Sequence, residues 1–456
     1  MSQHALDDPG RDDGACGADR SLSHRDVLSI ALPIIFSNVT TPLIGFVDTT
    51  IIGQLGAAHL IGAVAVGAMI FNVVFFGFNF LRMGTTGLTA QALGAGNRRE
   101  LSAILARALM IAAALGLALV LLQSRIIGFA LWLAEPSAAV EGAVRQYFDM
   151  RIWAAPAVLI NFALMGWFIG LGRASMALTL QLLLNGLNIA LAIFFVRKLG
   201  LSVTGVGLAA LLAEVAAATV GLLVAGRELR RRRAMIEIAG VFDALKLRRM
   251  LVVNRDILVR TLALFTAFSF FTVQGVRAGD VILAANSLLF QLFNMSAYLL
   301  DGFAFAAEAL VGQAIGARVL ARFKRAVRLS TLWAGLLSLI VSAGLLAAGP
   351  SIIDFMTTAP AVREAARRYY LWAALSPIIG VWCFQLDGIF IGATWTAAMR
   401  NMMLLSLALY FLAWAVLTPL FGNHGLWAAL MVFFMARALT LRWRYGRLVE
   451  ASFQPA

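Results

Sequence analysis

The sequence predicts an all-α membrane protein of twelve transmembrane helices in two pseudo-symmetric six-helix lobes. Three observations carry this. Hydrophobic residues fill 61% of the 456 positions and charged residues only 13%. Apolar stretches long enough to cross a bilayer recur along the chain, and the second half repeats the first at a constant offset. Soluble domains carry roughly a quarter charged residues, so lipid must be the solvent here.

About twenty apolar residues cross ~30 Å of hydrocarbon as a helix, and the helix satisfies its own backbone where water is absent. Such stretches place spans near 27–52, 60–83, 101–123, 147–171, 176–196, 204–226, 251–275, 281–305, 326–349, 367–392, 399–420 and 425–445. Residues 1–24 are polar, with Asp7, Asp8, Asp12 and Asp13 beside Gly and Pro. They lack the apolar run of a secretory signal and read as a disordered cytoplasmic tail. The first six spans form an N-lobe over 25–228 and the last six a C-lobe over 251–447. A basic connector at 229–250 joins the lobes, and 448–456 is a second cytoplasmic tail.

The net charge of +14 is a topology signal rather than a nucleic-acid one. With the N-terminus inside, 23 of the 37 Lys and Arg fall in the tails and cytoplasmic loops and 9 in the opposite loops. Both termini are therefore expected in the cytoplasm, with the densest cluster, Arg230 to Arg233, lying on anionic lipid. Cys16 and Cys383 make neither a disulfide framework nor a metal motif, and the four histidines fall in the tail or near span ends.

Sliding the chain by 222 residues matches Gly53 with Gly275, Ala63 with Ala285, Asn72 with Asn294, Gln91 with Gln313 and Gly94 with Gly316. The register continues through Tyr147 with Tyr369 and Phe168-Ile169-Gly170 with Phe390-Ile391-Gly392. Gly207-Leu208 meets Gly425-Leu426 after a four-residue gap. Six spans separate the copies, so both halves enter the membrane in the same direction, about an axis along its normal. This symmetry places a cavity between the two bundles.

An ionised carboxylate at the bilayer centre costs about 2.5–3.5 kcal/mol on insertion scales, so acids retained there are functional candidates. Asp48 sits in a helix with Pro33 and Pro42, and loss of water opposes its charge while Thr49 and Thr50 offer hydroxyl donors. It is either a coupling or gating carboxyl or a satisfied structural acid. Glu214, mid-span in the sixth helix, is a second coupling candidate or an interhelical hydrogen bond. Asp301 and Asp387 are the C-lobe candidates, for coupling, gating or an ion pair. Asp301 shares a helix face with Glu308, seven residues on, and occupies the repeat position of Asn79. Arg255, Asp256 and Arg260 open the seventh span and, with Glu308, read as an inner-gate salt-bridge network. Asn185 and Asn188, three apart on one face, together with Gln291 and Asn294, are polar cavity candidates, with packing glue the alternative.

The segment Ala31-Leu-Pro-Ile-Ile-Phe-Ser-Asn-Val-Thr-Thr-Pro-Leu-Ile-Gly-Phe-Val-Asp-Thr-Thr-Ile-Ile-Gly53 resembles the multidrug and toxic compound extrusion (MATE) family, and its DinF branch in particular. So do Arg82-Met-Gly-Thr-Thr-Gly-Leu-Thr-Ala-Gln-Ala92, Asn254-Arg-Asp256, Leu300-Asp-Gly-Phe-Ala304 and the run from Gly380 to Thr394. The resemblance implies two lobes of the MATE/MOP type around a central cleft. It further implies export of organic, cationic or amphipathic compounds against H⁺ or Na⁺ by alternating access, from the bacterial inner membrane. It maps cation coupling onto Asp48, helix bending onto Pro33, and a position used by sodium-coupled members onto Asp387. Relatives often carry an aspartate where this chain has Ala192, which leaves a two-aspartate N-lobe site incomplete. The expected partners are small organic substrates and lipids, with no nucleic acid and no cofactor beyond the coupling ion, and the chain is expected to be a monomer. A lipid-linked saccharide flippase is the competing reading, disfavoured because the intramembrane cations are few and have neighbouring acids. No convergent nucleophile, base or metal cluster marks an enzyme.

Overall fold

A computed structural model describes residues 22–54, 57–234 and 237–454; the side chains at 41–44, 46, 48, 58 and 238 lie outside the description. The tail with Cys16, the side chain of Pro42 and the carboxyl of Asp48 are therefore outside the described residues. Every regular element among those described is helical.

The first half begins with α1 (His24–Gly53), opened by a capping box in which Asp26 accepts from the Ser23 amide at 2.7 Å. The second span is broken into α2 (Ala58–Gly77) and α3 (Phe80–Gly94), and the third is α4 (Arg98–Leu121), followed by α5 (Gln123–Ala134). A 3₁₀ turn at Ile152–Ala154, just before Pro156, divides the fourth span into α6 (Ala138–Arg151) and α7 (Ala155–Gly170). The fifth, α8 (Ala174–Ile193), ends in a π turn over Phe194–Lys198, and the sixth is α9 (Val203–Arg231). After the short α10 (Ile238–Val241), the second half comprises α11 (Ala244–Arg277), α12 (Asp280–Gly316), α13 (Leu320–Met356), α14 (Pro360–Gly392), α15 (Thr396–Phe421) and α16 (Asn423–Phe453).

Twelve spans in two lobes are thus present, but the helices overrun the apolar stretches. The connector expected at 229–250 is largely helical, because α9 continues to Arg231 and α11 begins at Ala244. The tail expected from 448 is the last turn and a half of α16. Arg255 and Asp256, expected at the start of the seventh span, lie about three turns inside α11, and Arg260 about four and a half. Amphipathic ends carrying Lys and Arg extend a helix past the hydrocarbon without lowering its helicity, so hydropathy alone truncates it. Pro33 lies within an unbroken α1.

The repeat is visible in the packing. A Cβ added to Gly166 would meet the Arg82 carbonyl oxygen at 2.3 Å, and one on Gly388 the Ala304 carbonyl at 2.4 Å. Gly170 stands in the same way against Thr86, and Gly392 against Glu308. Each lobe therefore builds the same close helix pair, α3 on α7 and α12 on α14, from glycines related by the sequence offset. Where the lobes meet, the ends of α3 and α12 cross backbone to backbone. A Cβ on Gly94 would fall 2.0 Å from the Gln313 carbonyl, and one on Gly316 would fall 2.0 Å from that of Gln91. The bundle is closed at this end, which is also the end bearing the connector.

Candidate functional site

On the other side of this seam, a cavity of about 470 Å³ lies between α2 and α3 of one lobe and α11, α12, α14 and α16 of the other. Its walls are mainly aromatic, with Phe76, Phe265, Phe268, Phe290, Phe293 and Phe384, and its floor is charged. Asn294 lines it, as does Asn79, the repeat counterpart of Asp301. Gln291, expected with Asn294 as a cavity residue, is exposed and is not a lining residue.

Six charged side chains meet at the floor. Arg82 on α3 pairs with Glu308 on α12 at 3.2 Å, across the lobe boundary, and its guanidinium lies 3.8 Å over the Phe305 ring. Asp387 on α14 accepts from Arg260 on α11 and from Arg437 on α16, the latter at 2.5 Å. All five are buried, so removing Arg82, Glu308 or Asp387 strands a partner in a medium of low dielectric. Asp301 is different. It is half-buried, faces the same cavity, and sits within electrostatic range of Arg82, Arg260, Arg437 and Asp387, without a hydrogen bond or ion pair of its own among the described residues.

The four residues expected in one gate are divided. Asp256 binds Arg255 at 3.0 Å and Arg400 at 2.6 Å and accepts from Thr396 at 3.4 Å, which ties α11 to α15 inside the C-lobe. Arg260 turns instead to Asp387, and Glu308 to Arg82. Asp256 and Arg260 are one turn apart on α11, and a different helix offers a partner at each level, α15 to Asp256 and α14 to Arg260. Arg400 carries no signal in the sequence, and Arg82 and Arg437 stand there as cations within spans whose partners the sequence does not name.

The N-lobe candidates occupy a separate polar region. Glu214 on α9 accepts from the Asn161 side chain at 2.7 Å, and Asn161 also donates to the Glu214 carbonyl at 3.1 Å. Asn185 donates to Thr40 at 2.9 Å and accepts from Gln181 at 2.8 Å, joining α8 to α1, while the Asn188 side-chain oxygen is buried without a partner among the described residues. Asn185 and Asn188 are thus apart from the aromatic cavity. Ala192 is fully buried.

The chain matches the MatE family model over residues 33–194 and 258–416. It is 40% identical over 443 residues to the DNA damage-inducible protein F of Escherichia coli strain K12, covering 96% of each chain. A probable multidrug resistance protein NorM of Rhizobium meliloti is 26% identical over 450 residues, covering 93% of this chain and 94% of that one. Among solved structures, a MATE protein in the bent conformation superposes with a TM-score of 0.86 at 18% identity, over 95% of this chain and all of that one.

Proposed function

This chain belongs to the MATE family of multidrug and toxic compound efflux transporters, and from that premise we propose that it exports organic cations or cationic amphipaths in exchange for protons. It is a multi-pass membrane transporter and not an enzyme. The observation that carries the proposal is the position of Asp301, a half-buried carboxyl without a direct ionic partner among the described residues, in a cavity walled by aromatic rings. A proton and a cationic substrate compete for such a group, and the rings supply both apolar area and negative faces for the cation. Antiport requires this mutual exclusion. Glu214 is the N-lobe counterpart, since its hydrogen-bond partner is an uncharged amide and protonation breaks no ion pair with it. Asp48 remains a third coupling carboxyl on the strength of the family motif.

Protons are favoured over sodium because Asp387 already carries two guanidinium partners, which leaves a cation no net negative charge to meet there. The flippase reading is weakened by the same pairing. Arg82, Arg260 and Arg437 are each committed to an acid and do not form the unpaired basic cleft that a pyrophosphate requires. In this reading the connector face is cytoplasmic, both termini are inside, the membrane is the bacterial inner membrane, and the chain works as a monomer. The residues at 25–228 and 251–447 are the two lobes that rock about the Gly94–Gly316 seam. The deciding experiment is uptake of a fluorescent organic cation into proteoliposomes under separately imposed proton and sodium gradients. Transport driven by sodium alone would overturn the coupling assignment.

A further inference from the structure

A second cavity, of about 290 Å³, opens at the connector end of the seam and is built from both lobes. Gln91, Asn97, Glu100 and Arg107 come from α3, α4 and the turn between them, and Lys246 and Arg249 from the first turns of α11. Three cations against one carboxylate leave an excess of positive charge. Arg107 is the buried anchor. Its side chain is 2% exposed, it donates through Nη2 to Glu100 at 2.5 Å, and its Nε is buried without a partner among the described residues. Lys246 reaches the other Glu100 oxygen at 2.7 Å from the opposite lobe, and Arg249 donates to the Gln91 side chain at 3.1 Å.

The orphaned Arg107 Nε–H, on a residue that lines a solvent-connected pocket, calls for an acceptor. Glu100 is already shared by Arg107 and Lys246, so it offers little to a cation. We propose that this inter-lobe pocket binds an anion of the phosphate class, presented either as a phospholipid head group or as free phosphate. A planar guanidinium fork and a lysine point charge match a tetrahedral oxyanion, and basic pockets between helices at the bilayer face suit anionic head groups. Because the donors belong to different lobes, occupancy favours the arrangement in which the lobes meet here. The site is distinct from the aromatic cavity and does not depend on the antiport reading.

The test uses the full chain in neutral maltoside detergent, titrated calorimetrically with inorganic phosphate. In parallel, native mass spectrometry counts the lipids retained from nanodiscs of phosphatidylcholine with and without phosphatidylglycerol. Wild type should show one saturable site in at least one arm. The double variant Lys246→Gln/Arg249→Gln, altered at exposed positions, should weaken that binding at least tenfold at an unchanged melting temperature without ligand. Arg107→Gln should do the same, and if it fails to fold the double variant decides alone. Phosphate binding without phosphatidylglycerol retention assigns the free anion, and selective retention of phosphatidylglycerol assigns the head group. Absence of saturable binding in both arms, or binding unaltered in the double variant, overturns the proposal.

Discussion

Gln91 donates its side-chain amide to the carbonyl of Gly392 at 3.0 Å, and its repeat counterpart Gln313 donates to the carbonyl of Gly170 at 3.4 Å. Each amide fastens the end of one crossing helix to the last turn of a helix in the other lobe, so the pseudo-twofold is written in hydrogen bonds as well as in glycines. Closure of the connector face rests chiefly on backbone apposition. The ion pair of Arg82 and Glu308 spans the lobes at the cavity floor.

Tight apposition makes Gly94 a sensitive position, since an added Cβ would meet the Gln313 carbonyl at 2.0 Å and the neighbour is backbone. Gly94→Ala should hold the connector face open and abolish transport. A cysteine placed at Ala90, which is fully buried, should then react with an impermeant thiol reagent from the connector side, at least tenfold faster than in the closed seam of the parent. Equal labelling rates in the two backgrounds would show that the seam tolerates the methyl group.

The repeat and the seam were legible in the sequence because the glycine and glutamine positions recur at fixed offset, and close helix crossings admit few residue types. The charge cluster was not. Arg82 and Glu308 are 226 positions apart, and Arg260 and Asp387 are 127 apart. Counting along a span gives the depth of a residue but not the rotation of its helix against a neighbour. Nor does it give which neighbouring helix packs at each turn, which is why Asp256 and Arg260 read as one gate and Gln291 as a cavity residue with Asn294. Asp301 is legible as an intramembrane acid, but the absence of an ionic partner among the described residues, which distinguishes it from Asp387, emerges only from the assembled floor.

Stability should separate these two aspartates. Asp387→Asn leaves Arg260 and Arg437 buried without a counter-ion, and breaking a buried pair from one side costs about 3–5 kcal/mol. Its melting temperature in detergent should fall by several degrees, with loss of transport following the loss of fold. Asp301→Asn strands no ion-pair partner and should melt close to wild type while failing to couple. The reverse order of melting temperatures would exchange the structural and coupling roles.

Orientation has an independent check in α11. Leu245, within the basic connector, is 81% exposed and so open to a labelling reagent. With Cys16 and Cys383 removed, Leu245→Cys should resist an impermeant thiol reagent applied to intact cells and react in inverted vesicles. Labelling from outside would reverse the topology and place the phosphate-class pocket on the outer face.

Competition at Asp301 gives the coupling proposal its sharpest consequence. If a cationic substrate binds the ionised carboxyl and a proton must leave first, the apparent affinity falls as pH falls, by about tenfold per pH unit where one proton is displaced. The same linkage requires that adding substrate to purified protein in sodium-free, weakly buffered solution release protons into the medium. Asp301→Asn keeps the size of the protonated side chain and removes the proton to be displaced. It should flatten the pH dependence of binding and eliminate the release. Glu214 lies in the other lobe against Asn161, so Glu214→Gln should leave binding in the aromatic cavity intact and instead reduce gradient-driven turnover. Asp48→Asn, in the family's coupling motif, should likewise abolish gradient-driven export. The three variants, measured side by side for proton release, binding against pH and proteoliposome transport, separate the lobes. Undiminished proton release in Asp301→Asn, together with its loss in Asp48→Asn or Glu214→Gln, would move the exchange of cation for proton out of the aromatic cavity and into the N-lobe.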